Sequence, residues 1–457
     1  MGIRKLVEVL SVSTIVPAIP TPPTDRYFLS NLDQVFSGQW YMNTIYYFHP
    51  PEASTATQNL ATSLKESLSR TLVHYPALAG RVKGGEDGRL EVDLNDEGVP
   101  VKEASVDAKL DDWEDIKDCP FELELNTEDT TISDYSASPL LRIQINIFRC
   151  GGIALGFSWA HAIADGWAAT EFMKAWSQVH QRIAISNPPS FASSILRARS
   201  PPRITHPNKD YISTHRSPNS ASVNNQIPEA AEPSYQTSVV RLSARQVEEM
   251  VAEVESGPWK YGRVSTFVAV AAFTWKVMTE ARDLPDGAIT KYVYPISCRQ
   301  RWDPRLPAAY FGNAAHMSCL PHDAGAIKSN HISYTAKLIH DDIARTDTEY
   351  LQSAMDWLQV ELEQGKDVGF SCDYYSGTDV QSTDFVHFPI YETDFGWGNP
   401  FYFSFPIQPL FGDGLALVLP AAEGGKSRCV PISMRQEHMK RMFKNELFLK
   451  FLPHLQQ

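Results

Sequence analysis

The stretch Ile153-Ala154-Leu155-Gly156-Phe157-Ser158-Trp159-Ala160-His161-Ala162-Ile163-Ala164-Asp165-Gly166 runs from an unbroken apolar segment into small residues around one histidine and one aspartate. Just upstream, Leu140 to Phe148 alternates apolar and polar residues, and Gly151-Gly152 turns the chain back. The pattern predicts a hairpin whose second, buried strand delivers His161 at its end. Beyond Gly166, Trp167, Phe172, Trp176 and Val179 recur at near-helical intervals. His161 therefore falls where a buried strand hands over to a helix.

A histidine four residues before an aspartate has three readings by itself: a pair of metal ligands, a catalytic histidine oriented by the carboxylate, or an incidental polar pair. Its context favours catalysis. Ala162, Ala164 and Gly166 let a ligand approach the ring closely, and an imidazole takes a proton near neutral pH without a large pKa shift. No H-x-x-x-H pair accompanies the motif, and the six cysteines, at 119, 150, 298, 319, 372 and 429, form no C-x-x-C pair. Neither a metal centre nor a dithiol site is expected.

Outward from the motif, Val7 to Val16 and Gln39 to Phe48 read as strands, and Leu60, Leu64, Leu68 and Leu72 mark one face of a helix that Pro76 stops. Residues 187–233 shift to Pro, Ser and Asn, which predicts a crossover linker between an N-terminal lobe, 1–186, and a C-terminal lobe, 234–457. In the second lobe, Ser243 to Val254 and Thr266 to Arg282 read as helices, and Lys291 to Ile296 and Phe401 to Phe405 as strands. A chain of 457 residues has room for two such units. Its formal charge of −13 opposes nucleic-acid binding. The first apolar stretch, Leu6 to Ile19, is broken by Glu8 and Pro17, too short for a signal peptide or a membrane span, and the expected location is the cytoplasm.

Two more segments carry chemistry. Asp394-Phe395-Gly396-Trp397-Gly398 places an indole between two glycines. Composition leaves it open whether this is a functional loop or a strand-end turn with a buried Trp. Cys298-Arg299-Gln300-Arg301 supplies guanidinium forks that suit either a phosphate or a buried carboxylate such as Asp165 or Asp394.

Together, His161-Ala162-Ile163-Ala164-Asp165-Gly166, Asp394-Phe395-Gly396-Trp397-Gly398, Tyr310-Phe311-Gly312-Asn313 and Tyr75-Pro76-Ala77-Leu78-Ala79-Gly80-Arg81 resemble the plant BAHD acyltransferase family over essentially the whole chain. The resemblance implies two chloramphenicol-acetyltransferase-like α/β domains with a solvent channel between them. It implies acyl-CoA as co-substrate, no bound cofactor, a small-molecule acceptor and a monomer. His161 becomes the general base, and Asp165 a structural residue paired with Arg299 or Arg301. Asp394 and Gly166 likewise become structural, and the Trp397 indole helps bind the tetrahedral oxyanion.

Phe28-Leu29-Ser30-Asn31-Leu32-Asp33-Gln34 and Gln436-Glu437-His438-Met439 look like the hydroxycinnamoyl-transferase branch, so an aromatic acyl donor is expected. Shikimate- and quinate-type members carry an arginine where this chain has His387, in Phe385-Val386-His387-Phe388. Without that fork an acidic acceptor loses a bidentate contact, so a neutral or amine acceptor is expected, with His387 and Phe385 in its pocket. Two other classes remain open. Peptide-type condensation enzymes typically place two consecutive histidines in the motif, whereas Ala160 precedes His161 here. A non-catalytic relative acting as a binding protein would not need both His161 and Asp165.

Overall fold

A computed structural model describes residues 6–22, 26–38, 40–51, 59–85, 89–110, 120–127, 131–132, 134–215, 235–372, 377–406 and 412–453. The hairpin forms as its alternation dictates, Leu141–Phe148 against Ile153–Ala160, with every residue of the second strand buried. It is the centre of a six-stranded sheet in the order Val7–Ile15, Val99–Val106, Leu141–Phe148, Ile153–Ala160, Tyr41–Phe48, Tyr402–Ser404. Helices Leu60–Leu72 and Gly166–His180 cover one face of it, with Leu64, Leu68, Leu72, Phe172 and Trp176 all buried in the shared core. A buried stripe at i, i+4 spacing is what fixes a helix of this length onto a sheet.

The second six-stranded sheet runs Tyr235–Leu242, Arg428–Arg435, Leu415–Pro420, Val380–Asp384, Ile289–Ser297, Ala315–Asp323. Helix Thr266–Arg282 packs on it, and its near-continuous apolar sequence is explained by its position, buried between the sheet and helices Ala244–Ser256 and Ile332–Arg345. Both lobes are thus mixed α/β layers, in agreement with the expected architecture.

Two connections go beyond a simple two-lobe division. The short strand Tyr402–Ser404, from the C-terminal half of the sequence, pairs antiparallel with Tyr41–Phe48 and completes the first sheet. The described part of the expected linker, 187–215, is anchored as well. Its strand Tyr211–His215 pairs with Lys366–Phe370, and the buried Asp210 accepts hydrogen bonds from Cys319 N at 2.8 Å and Lys209 Nζ at 2.7 Å. Residues 216–233 of that segment lie outside the described residues. No helix among the described residues is long and apolar enough to cross a membrane.

Candidate active site

His161 opens a single 3-10 turn directly after strand Ile153–Ala160. Trp159 Nε1 donates to Ala164 O at 2.9 Å and so ties the loop back onto the strand. The imidazole stacks on Phe36, with ring centroids 4.4 Å apart and planes 12° apart, and Nδ1 lies 3.1 Å from Asn313 Oδ1. The Asn313 amide is itself fixed. Its Nδ2 donates to Asp33 Oδ1 and to His161 O, both at 2.8 Å, and its backbone N donates to Asp33 Oδ1 at 2.7 Å. Turning the amide over would set two oxygens face to face and lose both donations, so Oδ1 is the atom that meets the imidazole. An amide oxygen only accepts, hence Nδ1 carries the proton and Nε2 keeps its lone pair.

Burial is the main influence on this ring and pulls its pKa below the usual histidine value; contact with its own carbonyl, the charge of Asp165 and the Asn313 bond offset part of that. Asp33 caps helix Asn31–Val35 reciprocally with Ser30, whose N and Oγ donate to Asp33 Oδ2 at 2.8 and 2.7 Å. Burial nevertheless holds the Asp33 carboxyl up at about 6. Asp33 and Asn313 were quoted in the sequence motifs but given no role there. They are the functional support that sequence reasoning missed, since 280 residues separate them and no periodicity links them.

Asp165 has a different place. Its Oδ1 accepts from Ala168 N at 2.9 Å and caps helix Gly166–His180, while its Oδ2 accepts from Ala314 N at 3.0 Å. Arg299 grips both oxygens, Nη1 at 2.7 Å and Nη2 at 2.9 Å. Of the two candidate arginines it is therefore Arg299 that pairs with Asp165. Arg301 is half-buried, and its guanidinium makes only a long contact, Nη1 to Ser297 O at 3.5 Å. The buried fork joins the His161 loop of one lobe to the Tyr310–Asn313 segment of the other. Gly166 is required by space, because a Cβ there would stand 2.8 Å from a Phe388 ring carbon and 2.9 Å from a Phe385 ring carbon. Gly312, at φ 139, takes a backbone conformation open to glycine and brings Asn313 under the histidine.

These groups border a cavity of about 630 Å³ between the lobes, with Phe36, Trp40 and His161 on one wall and Arg301, Met317 and Leu417 on the other. Phe385 and His387, expected in the acceptor pocket, both line it. Trp397 does not. Its indole stacks on Phe395 at 5.4 Å and meets Phe48 and His180 edge-on, and its Nε1 is buried without a partner among the described residues. In this structure the indole packs on Phe395, outside the residues that line the cavity. Asp394 closes the same turn by accepting from Gly396 N at 2.7 Å and Gly398 N at 2.9 Å.

The sequence profile of the Transferase family matches residues 5–449. The chain belongs to this family, the BAHD acyltransferases. Among its relatives, hydroxycinnamoyltransferase of Narcissus pseudonarcissus is 32% identical over 95% of this chain and 98% of its own length. Shikimate O-hydroxycinnamoyltransferase of Nicotiana tabacum is 31% identical over 98% of this chain and 99% of its own. Among solved structures, vinorine synthase superposes with a TM-score of 0.74 at 22% identity, covering 98% of both chains, and F. graminearum TRI101 complexed with coenzyme A and T-2 mycotoxin with 0.74 at 16% identity, covering 93% of this chain and 99% of its own. Both confirm the two-domain α/β fold. As a BAHD member the protein is an acyl-CoA-dependent acyltransferase, and the CoA thioester is its co-substrate.

Proposed function

We propose that the protein transfers an aromatic, hydroxycinnamoyl-type acyl group from its CoA thioester to a hydroxyl or amine other than shikimate, with Nε2 of His161 as general base. The observation that carries this reading is the His161 Nδ1 to Asn313 Oδ1 contact of 3.1 Å, which leaves a neutral Nε2 at the wall of the inter-lobe cavity. Relatives named as shikimate O-hydroxycinnamoyltransferase and as hydroxycinnamoyl-CoA:5-hydroxyanthranilate N-hydroxycinnamoyltransferase support the aromatic donor and both acceptor elements. His387 at the cavity, in place of a fixed guanidinium, supports the exclusion of shikimate.

The acceptor attacks the thioester carbonyl while its proton passes to Nε2, and the tetrahedral adduct collapses by breaking the C–S bond. The CoA thiolate then recovers the proton from the imidazolium. No nucleophilic side chain is used, and Asp165, already engaged by Arg299, Ala168 and Ala314, holds the loop. Acyl-CoA is a co-substrate in this scheme, with no resident cofactor. One chain supplies both walls of the cavity, which supports a monomer. The free thiols of Cys298 and Cys319 suit the reducing cytoplasm.

Coumaroyl-CoA with a panel of shikimate, alcohols and amines tests the acceptor side. Thiol release is expected with members of the panel other than shikimate, and a strong preference for shikimate would refute the assignment.

The pH profile of kcat/KM tests the base. Only neutral His161 accepts a proton, so a depressed pKa moves the loss of activity to the acid side of the ordinary value of 6.5. Protonation of Asp33 near pH 6 weakens the acceptor that orients Asn313 and steepens the same limb. An acid limb centred above 6.5 contradicts the assignment.

A further inference from the structure

The cavity contains one acidic group that the reaction as described does not use. Asp384 ends strand Val380–Asp384, where it stands opposite Val418 in the parallel pairing with Leu415–Pro420. The strand stops there because the chain turns. Phe385 N donates to Val418 O at 2.9 Å, and Val386 N donates to Asp384 Oδ1 at 2.7 Å.

One oxygen is therefore occupied. The other takes no donor among the described residues, is not sealed from solvent, and belongs to a residue that lines the cavity with His161. No Lys or Arg among the described residues forms an ion pair with it. The charge of Arg428 acts on it, but Nη1 of that guanidinium donates to Gly425 O at 3.0 Å and Ser427 O at 2.8 Å. Phe385, Phe388, Phe405 and Leu417 line the same cavity, together with Gln381, Ser382, Thr383 and the guanidinium of Arg301. Burial accordingly raises its carboxyl above the usual range, with His387 and Arg428 only partly opposing the shift. A half-satisfied, largely desolvated carboxylate is a costly arrangement that a cationic ligand relieves.

We propose that Asp384 is the specificity-determining anchor for an acceptor that carries an ammonium group besides its nucleophilic group, that is, an aliphatic diamine or polyamine. The inference rests on acyl transfer at His161. The acceptor's protonated nitrogen pairs with Asp384, and its second, uncharged nitrogen attacks the thioester carbonyl. A C–N bond forms, the N–H proton passes to Nε2 of His161, the C–S bond breaks, and CoA thiolate takes the proton.

The test compares putrescine with butylamine as acceptors for coumaroyl-CoA in the wild-type protein and in Asp384→Asn and Asp384→Glu. The wild-type protein is expected to favour putrescine in kcat/KM by about ten- to a hundred-fold, the scale of one charge-assisted hydrogen bond. In D384N that ratio falls toward one through the acceptor KM, while the KM for coumaroyl-CoA holds, and D384E restores part of the preference. Transfer to butylamine with no preference for putrescine, or a preference that survives in D384N, overturns this inference alone. An absence of thiol release with both acceptors and with neutral alcohols overturns the acyl-transfer reading and this inference with it.

Discussion

Replacing His161 by alanine is expected to lower kcat by about 10²–10⁴-fold, the usual contribution of a positioned general base, while the KM for acyl-CoA stays near its wild-type value. The expectation follows from how much of the surroundings serves that ring. Phe36 stacks on it, Asn313 fixes its proton on Nδ1, and Asp33 fixes Asn313. Asp165 cannot replace the base, because both its oxygens are held by Arg299 and by backbone N–H groups of Ala168 and Ala314. Added imidazole should restore part of the activity of H161A, since the deletion leaves a space beside Phe36 at the cavity wall. Steady-state kinetics with and without imidazole check this; an unchanged kcat in H161A would remove the general-base assignment.

The second large effect is on stability. Arg299→Ala is expected to cost about 3–5 kcal/mol, the usual result of leaving a buried carboxylate without its cation. Both partners are buried, and the carboxylate also caps helix Gly166–His180, so the loss propagates into the His161 loop. Arg299→Lys keeps the charge but not the fork that meets Oδ2 at 2.7 Å and Oδ1 at 2.9 Å, so an intermediate loss is expected. Arg301→Ala, on a half-buried side chain whose guanidinium makes one long contact, should shift the thermal midpoint far less. Thermal unfolding of the three variants decides the matter. Equal losses for R299A and R301A would contradict the pairing.

How much of this was legible beforehand depended on the reach of the signal. The hairpin before His161 and helix Thr266–Arg282 follow from local periodicity and turn residues, and the chain forms them at the expected places. Helix Leu60–Leu72 likewise ends just before Pro76. The pairing of Tyr402–Ser404 with the other lobe carried no local mark, because a short aromatic run fits any sheet edge. The strand Tyr211–His215 was hidden in a Pro- and Ser-rich region, where tertiary pairing with Lys366–Phe370 outweighs composition.

At the site, Arg299 and Arg301 could not be separated by pattern, since two residues in one loop differ only in where each side chain goes. The oxyanion role expected of Trp397 came with the family resemblance, since its position between two glycines left a functional loop and a packed turn equally open. The same glycines instead complete a turn on Asp394 that presses the indole against Phe395. Asp384 went unremarked because its significance lies in missing partners, which only three-dimensional surroundings reveal.

Direct transfer of an acyl group from CoA to an acceptor at His161 can be followed as thiol release and acylated acceptor together by mass spectrometry, with coumaroyl-CoA and a mixed panel of amines and alcohols. The predicted result is one acylated acceptor for each CoA released, with the protein mass unchanged throughout. Thiol release accompanied by a stable acyl-protein adduct, or no acceptor product from any member of the panel, would contradict it.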